Sequence, residues 1–172
     1  MTPAASTKAT PMTDADLNTA HREITNLMSR FSRGIDLRDW DMYRSVFTDE
    51  IEIDYTSYRP GNGGMFRAED WVQRGRMLFP GLTASQHFLS NLHITVEGDR
   101  GTVISYVRAE HVLPNTAGDA MFTIGGYYTD SVVRVDGEWK ICKKQLTVLW
   151  NSGNPQILAM ARERAAELLA DA

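Results

Sequence analysis

Four side chains of this sequence could move a proton between them if folding brought them together: His87, Asp36, Tyr55 and His111. Histidine has an unperturbed pKa of about 6.5, near the optimum for a base at neutral pH. A buried carboxylate hydrogen-bonded to the ring would fix its tautomer and stabilise the imidazolium that forms, as in the hydrolase triads but without a nucleophile. The sequence has no GxSxG elbow, no Walker loop and no GxGxxG. The chemistry left open is acid–base work alone: elimination, isomerisation or an intramolecular aldol-type cyclisation. Each residue taken singly also has an ordinary structural reading. A strand-end histidine commonly packs and hydrogen-bonds, an aspartate after a helix commonly caps or turns, and a core tyrosine commonly just buries its ring.

The elements that must position these residues can be read from periodicity. Thr13-Asp14 can cap a first helix carrying Leu17, Ile24, Leu27, Met28 and Phe31 at helical spacing, with Gly34 predicted as its end. Asp36 then falls on the connection to a second helix, Trp40 to Phe47, capped by Asp39. From residue 50 the period changes to two: Ile51, Ile53 and Tyr55 share one face of a half-buried strand. Gly61-Asn62-Gly63-Gly64 reads as a loop, Ala68 to Phe79 as a helix. His87–Glu97, Thr102–Leu113, Phe122–Val135 and Glu138–Trp150 read as strands, joined in two places by the hairpin signals Glu97–Gly101 and Asp136-Gly137. A last helix is predicted from Asn154-Pro155 to about Ala170. Helices first and a long antiparallel meander after give an α+β fold, a curved sheet wrapped around helices with a cone-shaped cavity between them.

Parity places Tyr55 inward with Ile51 and Ile53, and His111 inward with Val103, Val107 and Ala109. Asn91 shares the His87 face if no bulge intervenes, which leaves Phe88, Leu92 and Ile94 on the opposite, outer face. Phe88, Leu89, Met65, Met121 and Trp150 are candidates for an apolar wall. His21 and His93 are expected to face solvent or to be structural.

Bulk properties narrow the function classes. The chain has 172 residues, 42% of them hydrophobic, enough for one ordinary core. A net charge of -4 with no Lys/Arg cluster argues against nucleic acid, and no apolar run reaches the roughly 20 residues that span a bilayer. Residues 1–12 lack the apolar stretch of a signal peptide and read as a disordered leader to a single domain over 13–172. Cys142 is the only cysteine. It is expected to be a structural thiol, in a chain read as cytoplasmic. The four histidines form no metal-binding spacing, so no metal is expected.

The combination "RGIDLRDWDMYRSVF", "IEIDYTSY", "QHFLSN" and "GGYYTDSVVRVDGEWKI" resembles the SnoaL-like branch of the nuclear-transport-factor-2-like superfamily over roughly residues 14 to 150. Within it, the sequence is most similar to the group of scytalone dehydratase, bile-acid dehydratase and hexachlorocyclohexane dehydrochlorinase. The resemblance implies a cone-shaped α+β barrel, with Asp36 and His87 on the positions of that group's catalytic pair. It also implies Tyr55 on the position of the dehydratases' first-strand tyrosine, and His111 as the counterpart of a second inward histidine. Departures bear on the substrate. Phe31 stands where the dehydrochlorinase has a lysine and the bile-acid dehydratase a tyrosine, which disfavours dehydrochlorination. Ile35 replaces a tyrosine of scytalone dehydratase, and Gly126 and Tyr128 replace its serine and asparagine.

The expectation is therefore a cofactor-free lyase, a dehydratase acting on a small hydroxylated cyclic or polycyclic molecule. His87, Asp36, Tyr55 and His111 are its catalytic residues; Phe31, Ile35, Asn91, Tyr128 and Trp150 touch the substrate. Two other readings remain: a polyketide cyclase or ketosteroid-type isomerase using the same dyad, and a non-catalytic ligand-binding module or oxygenase small subunit. By resemblance a homo-oligomer is expected, a trimer before a dimer, with small molecules as the only other partners.

Overall fold

The computed structural model describes residues 12–170; all of the expected leader but Met12 lies outside them. Helix α1 (Asp14–Asp36) starts where the sequence says it should. Thr13 and Asp16 form a reciprocal capping box, each side chain satisfying the other's backbone N–H. The helix does not end at Gly34, which lies inside its last turn. A Cβ there would sit 2.7 Å from the backbone nitrogen of Tyr43, so this glycine serves the close crossing with α2 (Trp40–Ser45) rather than a cap. The turn between the two helices is made instead by Arg38 at φ 59, and Asp39 caps α2 by accepting from the Met42 N–H. Phe47, expected to close that helix, opens the first strand.

Six strands follow: β1 (Phe47–Asp54), β2 (Gly63–Arg67), β3 (Ala84–Glu97), β4 (Arg100–Val112), β5 (Met121–Val135) and β6 (Glu138–Gly153). The first two residues of β2 fall in the stretch expected as a loop; these glycines pair with β1, Ile53 with Gly64 and Asp54 with Gly63. The sheet order is β2-β1-β6-β5-β4-β3, antiparallel except where β1 lies parallel to β6. Helix α3 (Ala68–Arg76) ends earlier than expected, and Phe79–Gly81 form a short 3₁₀ turn. The expected α+β architecture, a curved sheet wrapped around helices, is borne out.

One side of the sheet buries the core. Ile51, Ile53, Val103, Val107, Phe122, Val132 and Ile141 meet Ile24, Met28 and Phe31 of α1. Helix α4 (Ile157–Ala170) closes over the 3₁₀ turn, where the Ala161 carbonyl comes so near Gly81 that no Cβ would fit, at 1.8 Å. Among the described residues no helix is long and apolar enough to cross a membrane.

A bulge reverses part of the expected parity. Pairing between β3 and β4 shifts between Ser90 and His93, and Asn91 takes φ 52 there. Beyond it Ile94 lies opposite the fully buried Val103, so Leu92 and Ile94 pack on the core side and not outside with Phe88. Phe88 does remain outside, with Ile104 and Tyr106 of β4.

Candidate active site

The end of α1 and the start of β3 meet at one point, which brings Asp36 to His87. Asp36 Oδ1 accepts from His87 Nδ1 at 2.8 Å and from Ser85 Oγ at 3.0 Å; Oδ2 accepts from the His87 backbone N–H at 2.6 Å. Three donors on one carboxylate leave its orientation no freedom. Burial works to raise the Asp36 carboxyl, but the hydrogen bonds and charge of His87, with the Ser85 bond, outweigh it and hold the group below the usual carboxylate range. Because Nδ1 of His87 donates to Asp36, its Nε2 carries the lone pair.

Arg38 supports this arrangement. Its guanidinium donates to Ser85 Oγ at 3.0 Å, to the Asp36 backbone carbonyl and to the Phe79 carbonyl at 2.9 Å. A non-glycine residue in the left-handed region costs on the order of 1 kcal/mol, and these bonds offset it. Sequence reasoning named neither Arg38 nor Ser85. Arg38 lies inside the first quoted segment and Ser85 just before the third, but only the left-handed turn at Arg38 aims its side chain back across the helix end.

His87 lines a cavity of about 390 Å³ between sheet and helices, near the small end of ligand pockets. Phe31, Ile35, Tyr55, His111 and Tyr128 line it too, so six of the nine expected site residues line one space, and Asp36 reaches it only through His87. Asn91 and Trp150 do not. The bulge turns Asn91 out into solvent, and Trp150, about half exposed, lies over Gly125 on the outer face. Phe88, Leu89, Met65 and Met121, the other proposed wall residues, are absent from the lining as well. Tyr43, Trp71, Phe79 and Leu158 supply the apolar wall instead.

His111 sits 5.9 Å from His87, ring centroid to centroid. Its Nδ1 bonds the Phe122 carbonyl at 3.1 Å, and since a carbonyl can only accept, Nδ1 carries the proton. Burial, and then the neighbouring His87 charge, lower its pKa to about 4. At neutral pH it is an uncharged ring with its Nε2 lone pair free. Tyr55 and Tyr128 stack with centroids 6.3 Å apart, and burial raises both phenols well above their ordinary value. They are hydrogen-bond donors and remain so at any physiological pH.

Beneath this floor lies a feature absent from the sequence reading. Lys144 and Asp130, neighbours across β5 and β6, form a fully buried ion pair with Nζ 2.8 Å from Oδ2. The ammonium lies 3.6 Å from the Tyr128 ring centroid and 3.8 Å from that of Phe31, within cation–π range of both. Asp130 Oδ1 has no partner among the described residues. Desolvation pushes the carboxyl up and the ammonium down, and their mutual attraction opposes both shifts.

The remaining histidines, His21 and His93, are exposed, as expected. Cys142 is half-buried, with its thiol raised by burial and donating to the Ser131 carbonyl. Among the described residues no three His, Cys, Asp or Glu side chains gather closely enough to hold a metal ion.

Residues 18–145 match the SnoaL-like domain family. The chain is a SnoaL-like protein. A protein of Kribbella flavida with a solved structure is 26% identical to it, covering 88% of this chain and 99% of its own, with a TM-score of 0.77. A candidate scytalone dehydratase of Novosphingobium aromaticivorans is 25% identical over 82% of this chain and 91% of its own, with a TM-score of 0.68. The hexachlorocyclohexane dehydrochlorinase LinA type 2 shares the fold at 21% identity, TM-score 0.70, over 83% of this chain and 93% of its own. An uncharacterized protein of Mycobacterium tuberculosis is 27% identical over 71% of this SnoaL-like chain and 80% of its own length. The resemblance drawn from the sequence motifs is thereby borne out at the level of family and fold.

Proposed function

We propose that this SnoaL-like protein is a cofactor-free lyase that eliminates water from a small hydroxylated cyclic substrate. The observation that carries the reading is the His87–Asp36 bond of 2.8 Å at the wall of an aromatic-lined cavity, with Nε2 left as the free basic atom. His87 Nε2 removes a proton α to a carbonyl, and Asp36 offsets the imidazolium charge. The electron pair left on carbon passes to the carbonyl oxygen, where the Tyr55 and Tyr128 hydroxyls offer hydrogen bonds to the developing enolate. Collapse of the enolate expels the β-hydroxyl, which takes the proton back from His87 and leaves as water.

The pKa of about 4 assigns His111 a narrower part. It is neutral at working pH and accepts a hydrogen bond from a substrate hydroxyl, so the returning proton comes from His87. The small separation of the dyad also argues against a non-catalytic module, which has no need of an oriented imidazole. The likeness to a candidate scytalone dehydratase supports elimination over isomerisation or cyclisation.

The test is a panel of β-hydroxylated cyclic ketones incubated with the protein and followed by mass. Loss of water that falls by on the order of 10²–10⁴ in His87→Ala, and comparably in Asp36→Asn, is the expected result. Product of unchanged mass would replace the lyase with an isomerase or cyclase using the same dyad. Turnover that persists undiminished in folded His87→Ala would overturn acid–base catalysis at this site.

A further inference from the structure

The cavity is electrically lopsided. The chain carries 22 Asp and Glu against 18 Lys and Arg, yet among the described residues no carboxylate lines the cavity. Its ionised lining groups are Arg74 and Arg162. Their positions define a direction. His87 and His111 are buried at one end, whereas Arg74, Arg162, Met77 and Leu169 are exposed, so the arginines stand at the mouth. They come from separate elements, α3 and α4, which flank the opening along with Tyr58 and Asn62.

Among the described residues neither guanidinium has a carboxylate partner, whereas Arg44, Arg108 and Arg134 do. Arg74 is nonetheless held in place: its guanidinium lies over the Phe66 ring, 4.4 Å from the centroid. Stacking occupies the face of a guanidinium and leaves its N–H edge free for a planar anion. Two cations without an ion-pair partner among the described residues, at the rim of a net-acidic protein, attract anions towards an opening whose described walls carry no carboxylate.

We propose that the substrate carries an anionic group, a carboxylate or a phosphate, which Arg74 and Arg162 hold at the mouth while its ring system reaches His87. This rests on the cavity being the reactive site, and it adds the polarity of the substrate: an apolar cyclic head and an acidic tail at the opposite end. A neutral ring compound would fit the walls and leave both arginines unanswered. The anion would also fix which end enters first, setting the reacting carbon against His87 Nε2 in place of the reverse orientation.

Three probes of one shape separate the possibilities: 2-naphthoate, 2-naphthyl phosphate and the neutral 2-naphthamide, titrated calorimetrically against the full chain. One or both anions should bind roughly tenfold or more tightly than the amide at low salt, a preference that shrinks at high ionic strength. The anion that gains more identifies a carboxylate or a phosphate tail. In the Arg74→Gln/Arg162→Gln protein, whose changes lie at exposed positions, the anions should fall to the amide's affinity while the amide is unaffected. His87→Gln should keep the anion preference intact. Equal binding of all three probes, an anion preference that survives the double substitution, or no binding of either anion would each overturn the proposal. The first two outcomes leave the lyase reading untouched, because water loss and its dependence on His87 are measured separately.

Discussion

Acid should destabilise this protein through His111, before most carboxylates titrate. The folded ring has a pKa of about 4, against about 6.5 in an unfolded chain. Between those values the unfolded state binds a proton that the folded state refuses, so stability rises with pH across the window. The contribution is complete above about pH 6.5 and is lost as the pH falls to about 4. A difference of about 2.5 units at about 1.4 kcal/mol each makes the full loss about 3.5 kcal/mol. That is a large part of the 5–15 kcal/mol typical of a domain. Urea denaturation of wild type and His111→Gln at intervals from pH 7 to 4.5 isolates the effect, because titrating groups common to both cancel. Wild type should lose about 1.4 kcal/mol per pH unit more than the variant once the pH is below 6. Parallel stability curves would refute the burial argument, as would a His111 ring-proton NMR titration centred near 6.5. Because the His87 charge is the second cause of the shift, His87→Gln should move the His111 midpoint upward, but only part of the way, since desolvation is the larger cause.

Two further perturbations probe packing. Lys144→Met strands Asp130 as a buried, unpaired carboxylate and should cost about 3–5 kcal/mol in urea denaturation, most of it recovered in Lys144→Met/Asp130→Leu; a double variant no more stable than the single would show the pair is not the cause. Gly34→Ala should lower the melting temperature. Alanine's helix propensity is worth about 1 kcal/mol, but a Cβ 2.7 Å and 2.8 Å from the Tyr43 backbone forces α1 and α2 apart at a cost of about 1–3 kcal/mol. A raised melting temperature would mean the crossing is looser than described.

Elements whose local pattern and tertiary role agree were legible. The capping box at Thr13, the Asp39 cap and the alternation along β1, β4, β5 and β6 are local signals, and each produced the element expected. Failures came where a residue answered to a distant neighbour. Gly34 has the type of a helix terminator, but α2 needs it without a side chain. Gly63 and Gly64 have the type of a loop, but β1 supplies the hydrogen bonds that make them strand. Asn91 carries no strong bulge signal, yet its left-handed backbone reverses the face of every later residue in β3, moving Leu92 and Ile94 inward.

The site divides along the same line. Tyr55 and His111 could be found from strand parity, whereas Asp36 and His87 were singled out as a pair by the resemblance to the dehydratase group. Arg38 and Ser85, which hold Asp36 in place, could not be found that way: their role depends on one positive φ and on the approach of α1 to β3. The Lys144–Asp130 pair is a mixed case, because only part of its signal was present in the alternation. Asp130 follows Tyr128 and precedes Val132 on the inward parity of β5, and Lys144 precedes Leu146 on that of β6. A charge at an inward strand position cannot be solvated, so it must find an opposite charge on the same face of a neighbouring strand. Counted without a break from the Asp136-Gly137 hairpin, that rule would set Asp130 opposite Lys143; the register shift between Ser131 and Val132 brings Lys144 there instead. It also places a cation directly under the rings, Phe31 and Tyr128, on which the cavity floor is built.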